Sequence, residues 1–146
     1  ERGRAGDLKG LFLSDYKIAS ADKVCETGLY GTFDDGYDCS ALPTVEIAPL
    51  SAATIGSAVI YSTVDGTVPQ AYDVAIAKVD PNNKQNKNFV IKVTDEELLR
   101  ETGGIVQGMS GSPIVQDGKL IGAVTHVFLN DPTRGYGIGI EKMIGN

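Results

Sequence analysis

The sequence predicts a mostly β protein, a barrel-like antiparallel sheet with one short helix, and three observations carry that expectation. Eighteen glycines and no tryptophan among 146 residues, with Val, Ile, Thr and Tyr gathered in short runs, suit strands and tight turns better than long helices. The runs are separated at regular intervals by Gly, Pro, Asn and Asp, the residues that end strands. Two Asp-Gly dipeptides lie between such runs, where Gly accepts the positive φ of a two-residue hairpin turn. With 42% hydrophobic residues, a chain of this length has enough apolar material for a single core.

The strands are expected, in chain order, at "GLYGTF", "TVEIAPL", "GSAVIYSTV", "AYDVAIAKV", "NFVIKV", "SPIVQ", "KLIGAVTHVFL" and "GYGIGI". Asp65-Gly66 is expected to turn the third into the fourth, and Asp117-Gly118 the sixth into the seventh. "PNNKQNK" reads as a solvated hairpin loop. The helix is expected in "TDEELLRETGG": Thr94 or Asp95 caps it, Glu96 and Glu97 lie in the first turn where the helix dipole favours them, and Gly103 ends it after about two turns.

A formal charge of -6 argues against nucleic acid as a partner, because phosphate binding needs clustered Lys and Arg and the only lysine cluster, Lys84 and Lys87, sits among Asn and Gln. No run approaches the roughly 18 consecutive apolar residues of a membrane helix, and no signal peptide opens the chain. The first residue is Glu rather than Met, so a piece of a longer protein is expected. Cys25 and Cys39 flank "ETGLYGTFDDGYD", a spacing that a hairpin with facing ends closes as a disulfide and that two free thiols on neighbouring strands fit equally. A bridge would place the chain outside the cytosol.

"GIVQGMSGSP", residues 104 to 113, carries the chemistry. A serine hydroxyl attacks a carbonyl only when a base takes its proton and donors stabilise the oxyanion that forms. A glycine-flanked turn aims successive backbone N–H groups into one concavity, and here Gly108 and Ser110 can form such a pair around Ser110 as nucleophile. Ser112, directly before Pro113, sits where a hydroxyl more often closes a turn. Taken alone, the stretch also fits a plain turn between helix and strand.

"GMSGSPIVQDGKLIGAVTH" resembles the nucleophile region of chymotrypsin-like serine proteases, and the longer "KVTDEELLRETGGIVQGMSGSPIVQDGKLIGAVTHVFLNDPTRGYGIGIEKM" resembles the C-terminal part of the stage IV sporulation protein B peptidases. "ERGRAGDLKGLF" and "GLYGTF" fit that family more loosely. The resemblance implies a chymotrypsin-like β-barrel, with residues 1–146 a single peptidase-domain fragment made of the second barrel and part of the first or a linker. It implies that Ser110 attacks, that the Gly108 and Ser110 amides form the oxyanion hole, that Asp95 is the triad acid, and that Thr125, His126 and Val127 pair with the substrate backbone. No cofactor or metal is implied. The substrates implied are a membrane-associated regulator and the protein's own precursor, cut in signalling cleavages during sporulation after secretion into the space between forespore and mother cell. An upstream catalytic histidine, a PDZ domain and a membrane anchor belong to the family pattern and have no counterpart in these residues.

A triad needs a base, and His126 is the only histidine. Pairing with Ser110, oriented by Asp131, is one reading of it; a specificity or structural role, with a local hydrogen bond beside "NDPT", is the other. Asp95 is equally what a helix start requires. A fragment without its base is expected to be inactive, and a non-catalytic module that holds an extended peptide on "AVTHVFL" is the alternative. Pocket walls come from "TGGIVQ", "VTHVF" and "RGYGIG", whose glycines leave room and whose lack of an acid suits a small or uncharged substrate side chain.

Overall fold

The computed structural model describes residues 17–145, and "ERGRAGDLKGLF" therefore lies outside the described residues. Two strands, β1 (Ala19–Cys25) and β2 (Gly28–Phe33), form a separate antiparallel ribbon. The main sheet contains β3 (Glu46–Ile47), β4 (Gly56–Ser62), β5 (Gln70–Val79), β6 (Phe89–Val93), β7 (Pro113–Gln116), β8 (Lys119–Phe128) and β9 (Asp131–Gly139). In it, β4, β5, β6, β9, β8 and β7 pair antiparallel in that order and β7 returns to β4, closing a six-stranded barrel. β3 adds a short parallel pairing to β8.

Alternation builds the core. Ile60 on β4, Val74 and Ile76 on β5, Phe89 and Ile91 on β6, Ile114 on β7 and Val124 on β8 all point inward and are buried, as the period of two demands of a half-buried sheet. Phe89 fills the barrel centre because β8 and β9 present glycine to it. A Cβ on Gly122 would stand 2.8 Å from the Phe89 ring, and one on Gly137 3.3 Å from it. A fully buried Phe stabilises by about 1.5–3 kcal/mol. Asn88, also fully buried, ties the barrel shut: its Nδ2 donates to the Asp80 carbonyl and its Oδ1 accepts from the Gly139 amide.

Asp117 and Gly118 have φ of 51° and 75°, the two-residue hairpin turn expected between β7 and β8. The loop at Asp65-Gly66 departs from expectation. Ser62 pairs with Gln70, so residues 63–69 form a longer connection, because Pro69 has no N–H to extend the ladder. Helix α1 (Glu96–Thr102) begins on Asp95 and ends on Gly103 in the left-handed conformation. A second helix, α2 (Ile140–Ile144), continues from β9, and Ile140, expected at the end of a strand, opens it.

Cys25 and Cys39 are free and exposed. The β1–β2 hairpin does not set them face to face: Cys25 is opposite Gly28, and Cys39 follows the end of β2 in an irregular segment. The Cys25 thiol meets Thr27 Oγ1 at 3.2 Å instead, and that bond chiefly lowers its pKa.

Candidate active site

The glycine turn around Ser110 is built by what its backbone can and cannot do. Gly108 and Gly111 have φ of 103° and 92°, a region that side chains rarely tolerate, which is why glycine brackets Met109 and Ser110. Met109 is 3% exposed and anchors the turn from below, its amide donating to the Val106 carbonyl and its Sδ accepting from the Val106 amide. The Gly111 amide donates to Val124, the Ser112 amide to Met109, and the Val124 amide to Ser112. Among the described residues, the Gly108 and Ser110 amides donate to no backbone carbonyl. Two amides thus remain available in a turn whose other amides are committed.

Ser110 is exposed, and its Oγ donates to the Thr125 carbonyl at 2.8 Å. Ser112 is buried and its backbone links the turn to β8, the structural part expected of it. Pairing of β7 with β8 stops at Pro113 opposite Ala123. Beyond the Val124 bonds, the β7-side edge of β8 is open at Thr125, His126 and Val127. The His126 carbonyl faces Gly135 of β9, where an added Cβ would stand 2.8 Å from it. In a strand, alternate residues direct their N–H and C=O groups to opposite edges, so Thr125 and Val127 direct theirs to the open edge. Ser110 therefore stands at the end of a free strand edge. The Thr125 hydroxyl is buried there without a hydrogen-bond partner.

His126 is not joined to Ser110. Its ring is exposed, takes part in no hydrogen bond among the described residues, and lies on the outer face with Tyr136, its register partner. Asp131 does not orient it either. Asp131 Oδ1 accepts from the Thr133 amide and hydroxyl and Oδ2 lies 3.4 Å from Arg134 Nε. The Thr133 hydroxyl is the main reason that the Asp131 carboxyl is held below its usual pKa.

Asp95 lies at the N-terminus of α1. Its Oδ1 accepts from the Leu98 amide at 2.9 Å and its Oδ2 from the Asp73 amide of β5 at 3.0 Å. Burial pushes this carboxyl upward, but the amides of Leu98, Asp73 and Glu97 outweigh it and hold the pKa below the ordinary value. The stability contributed is fully present above the unfolded-state value of about 3.9 and is lost as pH falls through the lower folded-state value. Asp95→Ala is expected to cost about 1–2 kcal/mol, measured by urea denaturation at pH 7, whereas Asp95→Asn, an equally good cap, costs less.

The pocket segments do converge, yet the room expected from their glycines is taken. The Ile105 amide donates to the Pro132 carbonyl at 2.7 Å, and the position of a Gly135 Cβ is 2.6 Å from Ile105 Cδ1. Ile105 itself is 2% exposed. Among the described residues no group of His, Cys, Asp and Glu could hold a metal ion, and no helix is long and apolar enough to cross a membrane.

Two solved structures share this fold. Rv3671c from M. tuberculosis H37Rv, a serine-to-alanine mutant in an inactive form, matches at a TM-score of 0.59 and 15% identity over 87% of this chain and 62% of its own. The Rv3671c protease, also in an inactive form, matches at a TM-score of 0.58 and 16% identity over 87% of this chain and 64% of its own. The chain thus spans less than two thirds of those proteins. No curated protein matches it. The fold is that of chymotrypsin-like proteases, as the glycine turn and its two strands lead one to expect. The family described as SpoIVB peptidase S55 matches residues 1–144, and the chain belongs to that family, with a serine peptidase-type domain.

Proposed function

We propose that this chain carries the nucleophile half of a serine endopeptidase that makes limited, signalling cleavages during sporulation, its own precursor included, after export to the space between forespore and mother cell. The observation that carries the reading is the pairing of an exposed Ser110 hydroxyl with two uncommitted amides at the end of an open strand edge. An extended peptide added to β8 at Thr125 and Val127 brings a carbonyl over Ser110, and the Gly108 and Ser110 amides receive the oxyanion. Ile105 occupies the room beside Gly135, which supports a preference for a small, uncharged side chain at the residue whose carbonyl is attacked.

The base comes from a histidine outside these 146 residues. Two observations support this: the Ser110 proton is directed to a backbone carbonyl, which accepts a hydrogen bond but is no base, and the nearby Thr125 hydroxyl is buried without a partner. An orphaned buried hydroxyl costs about 1–3 kcal/mol, a cost removed when a polar group arrives from elsewhere. Asp95, to which the family resemblance points as triad acid, has both oxygens on backbone amides and enters this reading as the cap that fixes the helix leading into the turn.

The alternative, a peptide-holding module without catalysis, uses the same open edge of β8. Incubating the full-length protein with an unfolded protein such as reduced casein and sequencing the products by mass spectrometry separates the two. New termini absent from a Ser110→Ala control support the peptidase. Retention of casein peptides without any new terminus would sink it in favour of the module.

A further inference from the structure

Beside the open edge, on the outer face of β8 and β9, lies a cavity of about 500 Å³ lined by Lys87, His126, Phe128, Asn130, Asp131 and Tyr136 among others. Its floor is aromatic, with the Phe128 and Tyr136 ring centroids 4.5 Å apart. Lys87 Nζ stands 4.7 Å above the Tyr136 ring. Among the described residues Lys87 has no carboxylate in ion-pair range, although the chain as a whole is acidic. Asp131, the one acid in the lining, is already engaged by Thr133 and Arg134. His126 and Asn130 supply further polar groups.

Cross-strand neighbours in a sheet share a face. His126 lies opposite Tyr136 in β9, and a peptide residue laid opposite His126 on the other edge turns its side chain to that same outer face. We propose that this cavity is a substrate subsite that takes an acidic side chain from the acyl side of the cleaved bond, its methylenes on Phe128 and Tyr136 and its carboxylate on Lys87, with His126 and Asn130 as hydrogen-bonding groups. The subsite rests on the peptidase reading for the direction of the bound peptide. It also gives the exposed His126 ring a task that needs no contact with Ser110.

The test uses the full-length protein carrying Ser110→Ala, so that bound peptide is not consumed. Fluorescent octapeptides of Ala, Val and Thr, each with a single Glu or its neutral isostere Gln at one position, are titrated by fluorescence anisotropy. Glu is expected to bind about tenfold more tightly than Gln, some 1.4 kcal/mol, at one position or at two alternate positions. Lys87→Gln is expected to abolish that preference, and Lys84→Gln, an exposed change in the same loop, to keep it. Equal binding of Glu and Gln peptides at every position overturns the subsite, as does a preference that survives Lys87→Gln. Cleavage of the preferred Glu peptide by the protein with Ser110 intact is scored separately: binding with the Lys87-dependent preference but no cleavage supports the subsite while contradicting the peptidase reading.

Discussion

Ser110→Ala in the full-length protein is expected to lower cleavage by roughly four to six orders of magnitude while shifting the melting temperature by no more than about 5 °C. The two halves of this expectation have different sources. With Ser110 as the proposed nucleophile, its loss removes the covalent route, and because members of such a machinery act together, one deletion costs nearly as much as several. The backbone of the turn is untouched, since its shape rests on the glycines, on the buried Met109 and on the bonds from Gly111, Ser112 and Val124. The hydroxyl contributes only its bond to the Thr125 carbonyl at an exposed site, and a bond of that kind is worth about 0.5–1.5 kcal/mol at most. Initial rates on casein, with calorimetry of both proteins, check the two halves. A variant that unfolds earlier by many degrees would show that Ser110 is a structural residue of the turn.

Gly104→Ala is expected to be the most damaging single methyl group near the site. Gly104 has φ of 136°, and its Cβ would stand 2.2 Å from the Pro132 carbonyl oxygen and 2.5 Å from its carbon. These neighbours are backbone, so neither a rotamer change nor a small tilt relieves the clash, and the left-handed conformation adds its own strain. The expected loss is about 2–4 kcal/mol, read from the urea midpoint. Activity should fall further than stability alone explains, because separating residue 104 from Pro132 also breaks the bond from the Ile105 amide, next to Val106, which holds Met109 of the turn. Gly66→Ala, at a loop position where a Cβ meets nothing within 4 Å, serves as the control for left-handed strain without a clash.

What was legible in the sequence follows from how local the cause is. The turn at Asp117-Gly118, the cap at Asp95, the stop at Gly103 and the glycines around Met109-Ser110 are set by neighbouring residues, and patterns of neighbouring residues express them. β1 was not expected, because "ASADKVC" has no apolar alternation of its own and becomes a strand only by pairing with "GLYGTF". α2 was hidden behind the apolar run of β9, where helix and strand periods cannot be told apart over so few residues. Asn88 reads as the first residue of the strand "NFVIKV", and nothing in its neighbours shows that its side-chain amide is buried and closes the barrel to Gly139, 51 residues further on. The expected room at Gly135 failed for a similar reason. A glycine in a sequence shows only that a side chain is missing, and here that space belongs to Ile105 of a distant segment.

The cavity at Lys87 also escaped the sequence, since its parts come from the β5–β6 loop, from β8 and from β9. A signal existed in retrospect: "QNK" places a lysine beside the first residues of β6, whose partner in the barrel is β9 and therefore Tyr136. His126 illustrates the opposite error, in which a residue type suggests chemistry that its placement does not supply. Its register with Tyr136 turns the ring to the outer face, away from the hydroxyl that a base must reach.

On the proposed reading, Ser110 is a nucleophile held ready in a preformed turn, and the base it needs lies outside these 146 residues. The most direct measurement is active-site labelling of the full-length protein with a fluorophosphonate, followed by mass-spectrometric mapping of the modified peptide. The predicted result is one adduct per chain, on Ser110, absent from Ser110→Ala and absent from the isolated 146-residue chain. An adduct on Ser112 or on another hydroxyl, or equal labelling of the isolated chain, would contradict it.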